Sequence, residues 1–246
     1  MPPMAQAPLS LLFRHPRYVV VAKPSGVAVH RTRGSHGTPL LQRLRDQLQQ
    51  PVYPAHRLDR GTSGAQVMAL DADAQRALSG LFEAGLVRKS YLAVVRGWPL
   101  GECLIDHPLR RLDEDGVPLS DAAHQDAVSR ITPLSTVELP FALDRFPSTR
   151  YALVRVEPQE GRRHQVRRHL KHANHPIIGD TTYGKGLHNR FFRDRFGAQR
   201  LLLHANSLQY TDPFDGTARL ITAALPEDFA QPITRCGLLD GSLALA

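Results

Sequence analysis

The chain has 246 residues, of which 42% are hydrophobic and 22% charged, a balance typical of globular proteins that excludes general disorder. Thirty-one Lys and Arg against 23 Asp and Glu leave a formal charge of +8, which favours an anionic partner, nucleic acid ahead of an acidic membrane surface. The two cysteines, Cys103 and Cys236, stand far apart, which excludes a disulfide framework and indicates a reducing compartment.

The N-terminal stretch MPPMAQAPLSLLF has neither the basic start nor the long apolar run of a secretory signal. No segment approaches the roughly 20 apolar residues that a membrane-spanning helix needs. The sequence therefore predicts a cytoplasmic protein that has no membrane partner, and it indicates no obligate protein partner.

The first elements follow from apolar spacing. The β-branched run RYVVVAKPSG predicts a strand that ends in a turn. Four leucines, Leu40, Leu41, Leu44 and Leu48, predict an amphipathic helix. The segment GAQVMAL predicts a strand, after which Asp71 is placed to cap a helix whose buried face is Ala74, Leu78, Leu81 and Phe82. The segment SYLAVVRG predicts another strand.

The second half of the chain is less regular. Residues 107–127 lose apolar periodicity, and we interpret them as an exposed connection. The segment YALVRVEP predicts a strand, GRRHQVRRHLKHAN a helix, and LLLHANSLQY and ARLITAAL late strands. Because strands outnumber helices without strict alternation, we expect an α+β fold: a mixed, mainly antiparallel central sheet with flanking helices.

Positive charge is concentrated between residues 155 and 200, where eleven Lys and Arg stand against four Asp and Glu. On the predicted helix, Arg163, Arg167 and Lys171 are spaced four apart and should form one face, with Arg168 beside it. Like charges at this spacing repel, so either an anion such as RNA phosphate or an internal carboxylate compensates them, or the face is simply solvated.

Four histidines in the same region, His164, His169, His172 and His175, suggest a metal site at first sight. They alternate with arginines, whose charge opposes a cation, and no cluster of Cys or carboxylates completes a coordination shell. The sequence therefore predicts no metal site here.

The run AHRLDRGTSG, residues 55–64, places Asp59 between Arg57 and Arg60 at the entrance of a predicted strand. Positive neighbours favour the ionised form of a carboxylate. Such an arrangement is consistent with a structural salt bridge, and equally with a nucleophile that is kept anionic and oriented. The residue types alone leave both interpretations open.

The complete motif HRLDRGTSG resembles the active-site signature of the RluA-type pseudouridine synthases. Further blocks resemble the same family in the same order: KPSGVAVH, KSYLAVVRG, GRRHQVRRH, HPIIGD and RLLLHA, spanning roughly residues 18–225. The resemblance implies a pseudouridine synthase fold with a catalytic cleft. It also implies that residues 18–246 form the catalytic domain and residues 1–17 a short N-terminal extension without a separate RNA-binding domain.

The resemblance implies an isomerase that converts uridine in structured RNA to pseudouridine without a cofactor. It assigns Asp59 as nucleophile, acting at C1′ of the ribose or C6 of the base, and Tyr91 as proton-transfer group. Without the resemblance, Tyr91 would be interpreted as a core aromatic. The resemblance also pairs Arg167 with Asp59, and we expect the guanidinium to hold that carboxylate by two parallel bonds.

A stacked uridine must leave its helix to reach Asp59. The resemblance implies that Arg57 fills the vacated space. We expect Arg60, Arg163, Arg168 and Lys171 to bind RNA as well, chiefly through phosphates and RNA shape.

The flanking stretches are most similar to the tRNA-specific branch of the family, whose target is uridine 65, so tRNA is the expected substrate. Ribosomal RNA is the alternative within the enzyme class. A non-catalytic RNA-binding protein is the alternative outside it, but such a protein is expected to have lost Asp59, Tyr91 or Arg167. A glycoside hydrolase is disfavoured because its second carboxylate is absent near the motif.

Overall fold

A computed structural model of the chain describes residues 7–31, 37–113, 116–119 and 123–239. The described residues contain five helices and twelve strands. The strands are β1 Leu11–His15, β2 Tyr18–Lys23, β3 Tyr53–Pro54, β4 Ser63–Ala69, β5 Arg88–Arg96, β6 Cys103–Asp106, β7 Leu109–Arg110, β8 His124–Gln125, β9 Val128–Leu139, β10 Thr149–Pro158, β11 Leu203–Thr211 and β12 Ala218–Thr222. The helices are α1 Leu40–Leu48, α2 Ala72–Glu83, α3 Gln165–His172, α4 Gly186–Phe196 and α5 Glu227–Arg235.

One large sheet organises these elements in the order β1-β2-β4-β11-β5-β10-β9-β6, with β12 beside β11 and β3 beside β4. Within this sheet, β4 and β11 pair in parallel, and the other pairings are antiparallel. The expected α+β fold with a mixed, mainly antiparallel sheet is therefore confirmed.

Helices cover both faces of the sheet, because strand residues alternate between the two sides. On β2 and β4, one face packs against α2 and the other against α1. On β5 and β10, one face packs against α4 and α5, and the other against α3. The predicted cap of α2 is confirmed, because the Asp71 carboxylate accepts a hydrogen bond of 2.7 Å from the Ala74 amide.

The prediction that residues 107–127 are an exposed connection holds for more than half of the described residues of the segment, which are exposed, but part of the segment forms strands and is buried. Strands β7 and β8 pair as a separate two-stranded sheet, and Leu109 and Ala127 are buried. The ring of His107 stacks on His172 of α3 at a centroid distance of 3.7 Å. Residues 114, 115 and 120–122 of the predicted connection lie outside the described residues.

Gly64 allows the parallel pairing of β4 with β11 that brings the motif beside residues 200–205. Its φ is +117°, and a Cβ built there would lie 2.1 Å from the Ala205 carbonyl oxygen. Gly64→Ala should therefore lower the free energy of unfolding by roughly 3 kcal/mol or more. Urea titration of the two proteins measures this loss.

The control for that substitution is Gly80→Ala in α2. Outside its own helix, a Cβ at Gly80 meets no atom within 4 Å, so the substitution should raise the free energy of unfolding by up to about 1 kcal/mol. Equal effects of the two substitutions would contradict the close approach at Gly64.

Candidate active site

The loop between β3 and β4 carries Asp59, and its neighbours in the motif anchor it from below. The ring of His56 stacks on Phe82 at 4.2 Å, and the buried Leu58 donates its amide to the Gln66 side chain at 3.1 Å. The Thr62 amide donates to the Asp59 carbonyl at 3.1 Å, closing a tight turn. These anchors fix the backbone on both sides of Asp59, whose side chain is 24% exposed.

Arg167 lies between two carboxylates. Its Nη1 donates to Asp59 Oδ2 at 3.1 Å, which confirms the expected pairing of these two residues. Its Nε and Nη2 donate to Asp180 Oδ2 and Oδ1 at 2.7 Å and 3.0 Å. The expectation of two parallel bonds from Arg167 to Asp59 is therefore wrong, since the fork of the guanidinium engages Asp180.

Asp180 is fully buried and is held from a second direction. Its Oδ1 also accepts the amides of Thr182 and Tyr183, each at 2.9 Å. Burial by itself would raise the pKa of Asp180, but the hydrogen bonds and charge of Arg167, together with these amides, lower it below its usual value. Burial likewise opposes the charge of Arg167, yet the two carboxylates outweigh it and raise the pKa of the guanidinium.

His164 lies near the carboxylate oxygen of Asp59 that Arg167 does not contact. Its Nε2 lies 3.8 Å from Asp59 Oδ1, and its Nδ1 is hydrogen-bonded to the Tyr183 hydroxyl at 3.0 Å. Burial lowers the pKa of His164, although the charge of Asp59 acts in the opposite direction. His164 therefore favours the neutral form and leaves the ion pair with Asp59 to Arg167.

Tyr91 lies on β5 and faces the same cavity as Asp59. Burial raises the pKa of its hydroxyl, and the negative charge of Asp59 raises it further, so the group is protonated at neutral pH. Within the described residues, the Tyr91 hydroxyl has no hydrogen-bond partner. Its proton is accordingly available to a bound molecule.

Lys23 is a buried side chain that supports the backbone of the motif. It is 1% exposed, and its Nζ donates to the carbonyls of Pro24, Val27 and Arg60 at 3.0, 2.7 and 3.2 Å. Burial lowers the pKa of Lys23 to about 7, with Asp59 opposing that shift. The ammonium group thus ties the turn that follows β2 to the loop that carries Asp59.

An open cavity of about 1410 Å³ has walls that include Arg57, Asp59, Tyr91, His164 and Arg167. Pockets for small ligands usually measure about 300–1,000 Å³. The volume and the open mouth fit part of a polymer better than an enclosed small molecule.

The five cationic residues that were predicted to bind RNA differ in their exposure and in their hydrogen-bond partners. Arg57 is exposed, with its Nη1 3.3 Å from His30 Nε2, and Arg60 donates to the Gly26 carbonyl at 3.0 Å. Arg168 donates to the Arg110 carbonyl at 2.9 Å, and Lys171 lies 5.8 Å from the Tyr183 ring centre. Arg163 donates to the Asp113 carbonyl.

The predicted basic face of Arg163, Arg167 and Lys171 is wrong. The helix begins only at Gln165, after His164 adopts a left-handed backbone with φ of 55°. Arg163 therefore precedes the helix, while Arg167 points into the protein toward its two carboxylates. The internal carboxylate was one of the two compensating anions that the sequence left open.

The four histidines do not converge on a metal site in the described part of the chain. His169 contacts the Ser129 hydroxyl and the His107 carbonyl, and His175 contacts the Arg96 carbonyl. Among the residues that the structure describes, the group able to hold a metal ion is His15, Asp212 and Asp215, none of which lines this cavity. Arg219 already donates to both of those carboxylates.

Comparison with known proteins identifies the family to which the chain belongs. The family model for RNA pseudouridylate synthase matches residues 17–172. The chain belongs to this family. It is an RNA pseudouridine synthase, an isomerase that forms pseudouridine from uridine.

Relatives of the synthase are similar to it in sequence over most of its length. A tRNA pseudouridine synthase C from Vibrio parahaemolyticus is 40% identical, covering 94% of this chain and 96% of the relative. One from Pasteurella multocida is 44% identical, covering 90% and 93%. Human RNA Pseudouridylate Synthase Domain Containing 4 superposes with a TM-score of 0.71 at 25% identity, covering 93% of each chain.

In the part of the synthase that the structure describes, no helix has the length and apolar composition required to traverse a bilayer.

Sequence reasoning did not assign roles to Asp180, Tyr183 or Lys23. Each lies in a block that carries the family resemblance or directly beside one: KPSGVAVH contains Lys23, and HPIIGD ends at Asp180. The spacing of Asp180 and Tyr183 gave a weak signal, because an Asp followed by a turn often binds the next amides. The contact of the same carboxylate with Arg167 could not be predicted from the sequence, because it depends on the tertiary structure.

Proposed function

We propose that this synthase converts uridine to pseudouridine in tRNA, and that its target is uridine 65. The support is twofold: relatives named tRNA pseudouridine synthase C match over most of the chain, and the flanking stretches resemble the tRNA-specific branch. Ribosomal RNA is the alternative substrate that the test below must separate.

Asp59 is the proposed nucleophile. The reaction breaks the C1′–N1 bond and forms a C1′–C5 bond, and the proton on C5 is exchanged for one on N1. Asp59 assists by attacking either C1′ or C6. The observation that carries this role is its placement: the Asp59 carboxylate lines an open cavity and accepts one hydrogen bond, of 3.1 Å, from Arg167. Since no atoms are gained or lost, no cofactor is required.

In this proposal, Asp180 compensates the charge of Arg167 while Asp59 is bonded to the substrate. When Asp59 forms a bond to the substrate its negative charge is consumed, and a buried arginine without a partner would cost about 3–5 kcal/mol. Asp180 remains bonded to Nε and Nη2 throughout, so Arg167 stays compensated. The bidentate pair lets Asp59 react without isolating a buried cation.

Tyr91 is the proposed proton-transfer group. Its hydroxyl is protonated at neutral pH, lines the cavity and has no hydrogen-bond partner among the described residues. A group in that position can donate to or accept from the detached base as it reorients.

Arg57 is proposed to replace the flipped uridine in the RNA stack. It is exposed at the cavity rim two residues before Asp59, and its guanidinium is planar, so it can stack on the bases next to the gap. Unstacking and unpairing a base costs a few kcal/mol, which such stacking offsets in part.

The experiment is to incubate the protein with an unmodified tRNA transcript and, separately, with ribosomal RNA fragments, and to map pseudouridine in each. We expect pseudouridine at position 65 of tRNA. Modification of the ribosomal fragments alone would overturn the substrate while leaving the activity in place.

Arg57→Ala should lower kcat/KM on that transcript by roughly 10- to 50-fold, since each factor of ten corresponds to about 1.4 kcal/mol of lost stacking. The matched control is Arg76→Ala, which removes an equally charged, exposed side chain from α2 outside the cavity. If the two variants lost the same activity, Arg57 would contribute only general charge.

A further inference from the structure

The β7–β8 hairpin packs beside the start of α3 through arginine side chains. Arg168 Nη1 donates to the Arg110 carbonyl at 2.9 Å, and Arg162 Nε donates to the Asp126 carbonyl at 3.1 Å. Arg163 donates to the Asp113 carbonyl. The hairpin is thus fixed to the same segment that delivers Arg167 to Asp59.

Between the hairpin and α3 runs a second groove, of about 400 Å³. Six arginines and one aspartate contribute to its walls: Arg57, Arg110, Arg111, Arg162, Arg163, Arg168 and Asp113. Arg110 and Arg111 are exposed. Among the described residues, this excess of positive charge favours an anionic ligand in the groove, called the hairpin groove below.

Within the residues that the structure describes, Arg57, Arg110, Arg111, Arg162 and Arg168 form no ion pair with a carboxylate. Arg162 and Arg168 are held by backbone carbonyls, which orient a guanidinium without cancelling its charge. Several uncancelled cations in one groove repel one another, so an anionic ligand that binds there relieves the repulsion.

The hairpin groove is continuous with the catalytic cavity. Both are lined by Arg57, Gly161, Arg162 and Arg163. A strand of RNA whose uridine enters the cavity therefore has its neighbouring nucleotides at the opening of the groove. The repeating phosphates of that strand supply a row of anions.

We propose that the hairpin groove binds backbone phosphates of the RNA strand next to the flipped uridine, with Arg110 and Arg111 as the contacts supplied by the hairpin. This inference rests on the proposed function, because it requires RNA to occupy the catalytic cavity. It gives Arg110 and Arg111 a part in substrate binding that their sequence did not indicate.

The test compares the double variant Arg110→Ala/Arg111→Ala with a control that removes two arginines elsewhere, Arg14→Ala/Arg76→Ala. Arg14 is exposed on β1 at the opposite end of the sheet, and Arg76 is exposed on α2. The affinity for the tRNA transcript is measured over a range of salt concentrations. Losing two phosphate contacts should weaken binding about tenfold and reduce the salt slope by roughly 1.5.

A third variant, Arg110→Lys/Arg111→Lys, separates charge from folding. It should retain most of the affinity, since lysine also binds phosphate as a point charge. Alanine variants no weaker than the control, or lysine variants as weak as the alanine pair, would overturn the inference. Because binding is measured apart from turnover, a protein that binds tRNA through the groove but forms no pseudouridine would overturn the proposed function alone.

Discussion

Replacing Asp59 by Asn should lower the single-turnover rate of pseudouridine formation at least about a thousandfold, the scale at which loss of a nucleophile acts in other enzymes. The amide has nearly the shape of the carboxylate and can still accept a hydrogen bond from Arg167, so the fold should survive. It cannot act as an anionic nucleophile at either C1′ or C6. Rapid mixing of excess enzyme with labelled tRNA measures the rate.

The control for this loss is Asp73→Asn, which removes one exposed carboxylate from the first turn of α2. Both substitutions make a basic protein more positive, so both should bind RNA at least as well as the parent. Only Asp59→Asn should abolish turnover. Residual activity within tenfold of the parent would remove Asp59 from the proposed role.

The sequence correctly predicted those strands and helix ends that are determined by a few neighbouring residues. The β-branched run at Tyr18–Lys23 and the Asp71 cap were recognisable because strand propensity and capping act within a few residues. Strand β9 was missed, since polar residues and Pro133 interrupt its apolar alternation. Helix α5 was missed because Pro232 lies inside it, where proline normally disfavours a helix.

In the candidate site, too, the sequence predicted what depends on nearby residues or on the family resemblance, and did not predict the contacts that depend on the tertiary structure. The motif around Asp59 pointed to a carboxylate among cations, and the pairing of Asp59 with Arg167 followed from the family resemblance. The sequence could not show that the fork of Arg167 engages Asp180. That contact depends on the turn after Ile178 and on where α3 begins, and α3 begins only after the left-handed His164.

Asp180→Asn should lower kcat about 100-fold, comparable to the effect of misplacing a reacting group by about 1 Å, with a much smaller change in KM. The asparagine can still accept the Thr182 and Tyr183 amides through its oxygen. Its NH₂ group, however, would replace Oδ2 and face the Nε donor of Arg167, and the buried guanidinium would lose its negative partner. Asp59 would then be the remaining carboxylate bonded to Arg167, and its reaction would isolate the cation.

Asp212→Asn distinguishes this catalytic effect from a loss of stability. Asp212 is the comparable buried carboxylate: it is 1% exposed and accepts from Arg219 Nε at 3.2 Å, from the Tyr18 hydroxyl at 2.6 Å and from the Phe214 amide at 3.0 Å. Both substitutions should lower the unfolding midpoint, because each leaves a buried polar network incomplete. Only Asp180→Asn should lower the kcat measured at a temperature below both unfolding midpoints, because in the proposed mechanism Arg167 must keep a negative partner when Asp59 reacts. Equal values of kcat for the two variants would show that Asp180 has only a structural role. They would contradict the proposal that Asp180 compensates the charge of Arg167 during the reaction.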